Sequence, residues 1–195
     1  AWDLHDMIYI VLGLVDNYNR AGDKTSLAVA RRIADYVMRN CPPDKLPGCK
    51  LGTERAFIAL SRASGDTRYF EYAVAGTGLR EWRPKVEGHA YTFMNMCLAQ
   101  LDVYGIERDP ALLEMSRQVM RKLDEGSLLV HGTCSVGEGF HADQSGFGGV
   151  GETCVTAYLM RLSGRMLQIE GNPLYGDIIE RAMYNALFAA QSPDG

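Results

Sequence analysis

The feature that restricts this chain most is a recurring break between two helical stretches. "NRAGDKTSLAVARRIADYVM" places a Gly-Asp step between an apolar helix and a second one with Leu27, Ala30, Ile33, Ala34 and Val37 along one face. "SRASGDTRYFEYAV" repeats the step at Gly65 and Asp66, and "YGIERDPALLEMSRQVMRKL" and "QIEGNPLYGDIIERAMYNAL" repeat it around Asp109-Pro110 and Asn172-Pro173. A glycine lets the first helix end in a left-handed turn, the following Asp or Asn caps the free amides of the next helix, and proline fits the first helical position. Connections this short make neighbouring helices antiparallel. The markers Asp23, Asp66, Asp109 and Asn172 follow one another at 43, 43 and 63 residues. Four helical hairpins result, with roughly twenty extra residues in the last interval. The expected fold is all-α, an (α/α) helical-hairpin toroid or solenoid over residues 1–195 read as one domain, decorated by one long loop or short β-hairpin. "SLLVHGTC", residues 127–134, is a short β-like run leading into that insertion.

Composition removes several classes of function. With 47% hydrophobic residues the chain can bury a core. A net charge of −4 without a run of like charge excludes a basic track for nucleic acid or a polybasic membrane patch. No stretch reaches the roughly 20 apolar residues of a membrane span. The apolar start "AWDLHDMIYIVLGLVDNY" carries Asp3, His5 and Asp6 where a signal peptide carries basic residues, so it reads as a helix. Lacking an initiator methionine and stopping at "SPDG" as a helix ends, the chain is expected to be a piece of a longer protein. Five cysteines, an odd number set far apart, do not form a disulfide framework and favour a reducing compartment. Cys97, amid apolar residues in "FMNMCLAQL", reads as core filling. Cys41 and Cys49 flank "PPDKLPG" without the close partner that zinc sites show.

The insertion holds the chemistry. In "GEGFHADQSGFGGVGETC", residues 137–154, Glu138 and Glu152 flank a glycine-rich loop and Cys154 follows at the start of a helix marked by Val155, Tyr158, Leu159, Leu162, Met166 and Ile169. Free amides and the dipole of a helix start favour a thiolate, as nucleophile or zinc ligand, and a carboxylate beside it offers a second donor. The same Glu-x-Cys also fits a capping carboxylate and a buried small thiol. Glu138, between glycines, can serve as a general acid or stand as a solvated surface carboxylate. His131, His141 and Asp143 lie close in sequence and could touch a polar ligand or simply face water. His5 and His89 each stand at the start of the first helix of a hairpin, where they line a cleft or satisfy a core hydrogen bond.

At this point the residues resemble a known family. "GETCVTAYLMRLSGRMLQIEGNPLYGDIIERAMYNALFAAQSPDG" is similar to the glycoside hydrolases typified by β-L-arabinofuranosidase, with their E-T-C-A motif, G-x-x-x-Y-x-D-x-x-E-R-x-x-Y-N segment and S-x-D-G turn. "GEGF", "EGHAYTF" and "LHDMIYIVLGLVDNYNRAGD" resemble three further motifs of the same family. The resemblance implies a six-hairpin toroid and a retaining hydrolase of furanosides. It further implies a zinc ion held by Glu152 and Cys154 with an adjacent Cys-Cys pair, one of which is the nucleophile. Glu138 would be the acid/base residue, and His5 and His89 would line the sugar pocket.

Two features depart from the family pattern. No two cysteines adjoin in this chain, and "HADQSGFGGV" is shorter and more glycine-rich than the acidic, aromatic loop of the arabinofuranosidases. About eight helices against the ring's twelve predict an incomplete ring, with apolar flanks left exposed or covered by an oligomer or by the rest of a longer chain. The expected partner is a carbohydrate. Competing readings are a sugar-isomerising, epimerase-like toroid using paired histidines without zinc, and a noncatalytic helical-repeat binding module.

Overall fold

The computed structural model describes residues 2–43, 52–141 and 151–194. Eight α-helices lie in these segments: α1 (Trp2–Ala21), α2 (Lys24–Asn40), α3 (Thr53–Ser64), α4 (Thr67–Val74), α5 (Ala90–Glu107), α6 (Glu114–Lys122), α7 (Thr153–Glu170) and α8 (Pro173–Arg181). The only strands among the described residues are β1 (Ser135–Val136) and β2 (Gly139–Phe140). Among the described residues no helix is long and apolar enough to cross a membrane. Cys49 and Asp143 lie outside the described residues.

Each predicted break is a cap. Asp23 accepts from the amides of Thr25 and Ser26, Asp66 from that of Arg68, Asp109 from that of Ala111 and Asn172 from that of Leu174. Gly22, Gly65 and Gly171 close the preceding helices with φ of 69°, 72° and 68°. The third break departs from the expected chemistry, because Arg108 rather than a glycine takes the left-handed position, at φ 59°. Its amide still reaches the Tyr104 carbonyl at 3.0 Å, and its guanidinium lies 5.6 Å from the centre of the Tyr104 ring. A side chain in this region costs roughly 1–2 kcal/mol, offset in part by an exposed cation–π contact of roughly 0.5–1 kcal/mol. Arg108→Gly is therefore expected to stabilise the protein by about 0.5 kcal/mol, read as a rise of roughly 1–2 °C in a thermal melt.

The chain packs as two compact units, Ala1–Trp82 with Asp102–Arg108, and Arg83–Leu101 with Asp109–Gly195. In the first, α1 lies on α2 and α3, and α3 on α4. Phe57 stacks on Tyr72 at 4.9 Å and meets Tyr69 edge-on at 6.0 Å, while Arg55 binds Asp102 at 3.0 Å. In the second unit the α5 residues Phe93 to Leu101 are buried without interruption, Asn95 and Gln100 among them, the mark of a helix enclosed on all sides. There α7 packs on α8 and α6, and Glu170 accepts from both Arg117 and Tyr175 at 2.7 and 2.6 Å. Cys97 is fully buried, as expected of core filling, and burial pushes its thiol pKa up. Large apolar side chains stand exposed in both units, Ile10 and Tyr36 in the first, Tyr184 and Phe188 in the second.

The β-like run was expected at residues 127–134, and the strands form one step later. A π-helical turn (Leu123–Ser127) contains Gly126 at φ 123°, and the chain then reverses tightly, Leu129 N donating to Thr133 O at 2.8 Å. Val130, at the tip of that reversal, is exposed, so its β-branched side chain signals no strand.

Candidate active site

The site is built on the hairpin "SVGEGF". Ser135 pairs with Phe140 and Val136 with Gly139, which leaves Gly137 and Glu138 as a two-residue turn. Both have positive φ, 58° and 67°, the pattern of a type I′ turn, whose twist suits a hairpin. Glycine adopts that conformation freely, but a glutamate does not, so other contacts must hold Glu138 there. They do so at both backbone groups: its amide donates to Glu152 Oε1 at 2.9 Å, and its carbonyl accepts from Ala90 N at 2.8 Å. The Glu138 side chain projects outward, 71% exposed, with Oε2 3.8 Å from His89 Nε2. His89 sits immediately before α5, bridges to Gly139 of β2, and its carbonyl accepts from Phe93 N and Thr92 Oγ1.

Glu152 precedes α7. Its carbonyl accepts from Thr156 N at 3.0 Å, but its carboxylate makes no bond to its own helix. The carboxylate turns to the hairpin instead, Oε1 on the Glu138 amide and Oε2 on the Ser135 hydroxyl. Cys154 stands exposed in the first turn of α7. A capping carboxylate beside a buried thiol therefore does not describe this pair. Cys134 is the buried thiol of the neighbourhood: burial, with a smaller contribution from Glu152, pushes its pKa up to about 12 and keeps it protonated near neutral pH.

The remaining histidines divide. His131 borders a cavity of about 200 Å³ with Thr133, Gly151, Thr153, Thr156 and Asn185. The backbone amide of His141 donates to Cys134 O at 3.0 Å. His5 belongs to the first unit, in the first turn of α1, with its ring 4.7 Å from that of Tyr9 and its Nδ1 3.6 Å from Asp6. The geometry thus gathers Glu138, His89 and Glu152 around one hairpin. Ser135 escaped sequence reasoning, and the signal for it was the hairpin register, since a two-residue Gly-Glu turn puts Ser135 opposite Phe140.

As a metal site the described residues are partial: among them no group of three His, Cys, Asp or Glu converges. Glu152 and Cys154 supply two donors that zinc accepts, out of the usual four. The carboxylate has about four lone-pair positions, of which two are engaged, so a cation could still share it.

The family model described as the β-L-arabinofuranosidase GH127 catalytic domain matches residues 1–195. The chain belongs to this family. A relative, the non-reducing end β-L-arabinofuranosidase of Bifidobacterium longum subsp. longum, is 23% identical over 200 residues, covering 95% of this chain. The chain spans 28% of that relative's length. A solved GH127 β-arabinofuranosidase superposes with a TM-score of 0.80 at 23% identity, over 98% of this chain and 34% of the other. The GH127 β-L-arabinofuranosidase of Geobacillus stearothermophilus T6 does so at 0.76 and 20%, over 98% and 37%. These likenesses concern the fold, which is of the (α/α) toroid class. In this GH127 chain the hairpin and the start of α7 are joined through one carboxylate, and that junction is where its family motifs "GEGF" and "GETC" meet.

Proposed function

We propose that this chain is the part of a retaining glycoside hydrolase that carries its proton-transferring carboxyl group, and that the substrate is a β-L-arabinofuranoside. The observation that carries the reading is the backbone of Glu138, held in a left-handed turn by Glu152 and Ala90, with its side chain free beside His89. Family membership supports the reaction class, and the β-L-arabinofuranosidase activity of the Bifidobacterium relative supports the sugar.

In the first step Glu138, as the acid, gives its proton to the glycosidic oxygen while the anomeric carbon–oxygen bond breaks and the nucleophile's sulfur bonds to the anomeric carbon. In the second it takes a proton from the water that attacks the anomeric carbon, and the carbon–sulfur bond breaks to release the thiolate. The nucleophile is a cysteine thiolate supplied from outside residues 1–195. His89 contacts the sugar beside Glu138, and His5 is given the same task by the family resemblance. Zinc, held in part by Glu152 and Cys154, would supply a cation that keeps a ligating sulfur deprotonated.

Two measurements on the full-length protein test this. Proton NMR of an aryl β-L-arabinofuranoside digest is expected to show the β-anomer as first product; the α-anomer would rule out retention, and turnover of pyranosides alone would rule out the sugar. Cys154→Ser is expected to weaken zinc binding at least about tenfold, read as metal content after dialysis against a chelator. Unchanged zinc would remove Cys154 from the metal site.

A further inference from the structure

Ser135 lies outside the motifs "GEGF" and "GETC", yet it holds a central position in the site. It is fully buried. Its backbone pairs with Phe140 across the hairpin, and its hydroxyl donates to Glu152 Oε2. The other oxygen of the same carboxylate accepts from the Glu138 amide. One rigid group therefore takes two donors from the hairpin, three residues apart, and fastens them to the start of α7. The Glu138 carbonyl fastens the same turn to the start of α5.

The consequence is geometric. The last torsion of a glutamate is broad and roughly two-fold, so a carboxylate with a single donor rotates easily. Two donors on opposite oxygens fix its plane, and hydrogen bonds to a charged acceptor are about twice as strong as neutral ones. Without the Ser135 hydroxyl the Glu152 carboxylate is free to turn, and the Glu138 amide loses its fixed acceptor. Glu138 then has a reason to leave its left-handed conformation, since a glutamate is strained there. A change of φ at Glu138 moves its carboxyl group relative to His89.

We propose that Ser135 is a positioning residue for Glu138, acting through the Glu152 carboxylate that the Ser135 hydroxyl and the Glu138 amide share. This rests on Glu138 being the proton donor of the hydrolase. Ser135 touches neither substrate nor reacting atoms. Its work is to keep the donor carboxyl within reach of the leaving oxygen.

The test compares kcat/KM in the full-length protein for an alkyl glycoside, whose departure needs a proton, with that for an activated aryl glycoside, whose departure does not. A misplacement of about 1 Å costs on the order of 10²-fold in a positioned reaction. Ser135→Ala is expected to lower kcat/KM for the alkyl substrate roughly ten- to hundredfold and for the aryl substrate by less than about threefold. Ser135→Thr, which keeps the hydroxyl, is expected to restore the alkyl value, and Ser135→Gly removes the same hydroxyl if the alanine variant does not fold. Equal losses on both substrates, with or without loss of zinc, would overturn the positioning role, because a residue that serves only packing or metal retention does not discriminate between leaving groups. Glu138→Gln is the control. If it shows the leaving-group split and Ser135→Ala does not, only the role of Ser135 falls; if Glu138→Gln shows no split, the assignment of Glu138 falls with it.

Discussion

Glu138→Gln in the full-length protein is expected to lower kcat/KM for alkyl glycosides by roughly 10²–10⁴-fold, the usual contribution of a positioned acid. The substitution keeps the size and backbone of the residue. Its amide still donates to Glu152 Oε1 and its carbonyl still accepts from Ala90, so the hairpin has no reason to move. What disappears is a transferable proton. For an aryl glycoside with a good leaving group the first step needs none, so a rapid burst of aryl alcohol is expected to survive in stopped flow. Turnover after the burst becomes slow, because water attacks without a base to take its proton. A small anionic nucleophile such as azide needs no such base and is expected to restore turnover. Full activity on both substrates would remove Glu138 from the reaction.

The second large effect concerns Gly132→Ala, which is expected to destabilise the protein by about 3 kcal/mol or more. Gly132 has φ 95°, and a Cβ there would lie 2.7 Å from Ala182 N, 2.7 Å from the Arg181 carbonyl carbon and 2.8 Å from Ala182 Cα. These are backbone atoms at the end of α8, so no side-chain rotation relieves the contact. Overpacking of this kind costs roughly 1–3 kcal/mol, and the backbone strain adds about 1–3 kcal/mol. At this chain length the melting temperature is expected to drop by roughly 6–12 °C. The displaced segment runs through Thr133 and Cys134 into β1, so alkyl-glycoside activity is expected to fall as well. An unchanged melting temperature would mean that the reversal at residues 129–133 and the end of α8 do not pack as described.

Much of the fold was legible because its signals are local. The four caps lie within three residues of the amides they satisfy, so a Gly-Asp or Asn-Pro step announces them directly. Arg108 shows where this reasoning thins out, since the third break has the capping Asp and the proline but no glycine, and the left-handed residue went unread. The strands were expected too early because Leu128, Leu129 and Val130 carry a β-like composition, whereas the actual pairing is set by the Gly137-Glu138 turn further on.

The candidate site divides along the same line. Glu138, Glu152, Cys154 and His89 were singled out from motifs, and Glu138, Glu152 and His89 do gather around one hairpin. Glu152 was read only as a metal donor or a cap, and its bonds to Ser135 and to the Glu138 amide span 17 and 14 residues. Nothing in a string of residues states which acceptor a turn amide will find across such a distance. The sequence by itself determined the helices, their ends, the family and the chemically able side chains, because each depends on neighbours within a turn or on a motif. Only the tertiary structure decided that one carboxylate fastens the Glu138 turn to α7 while α5 holds its other side, because those bonds exist only once elements remote in the chain have packed together.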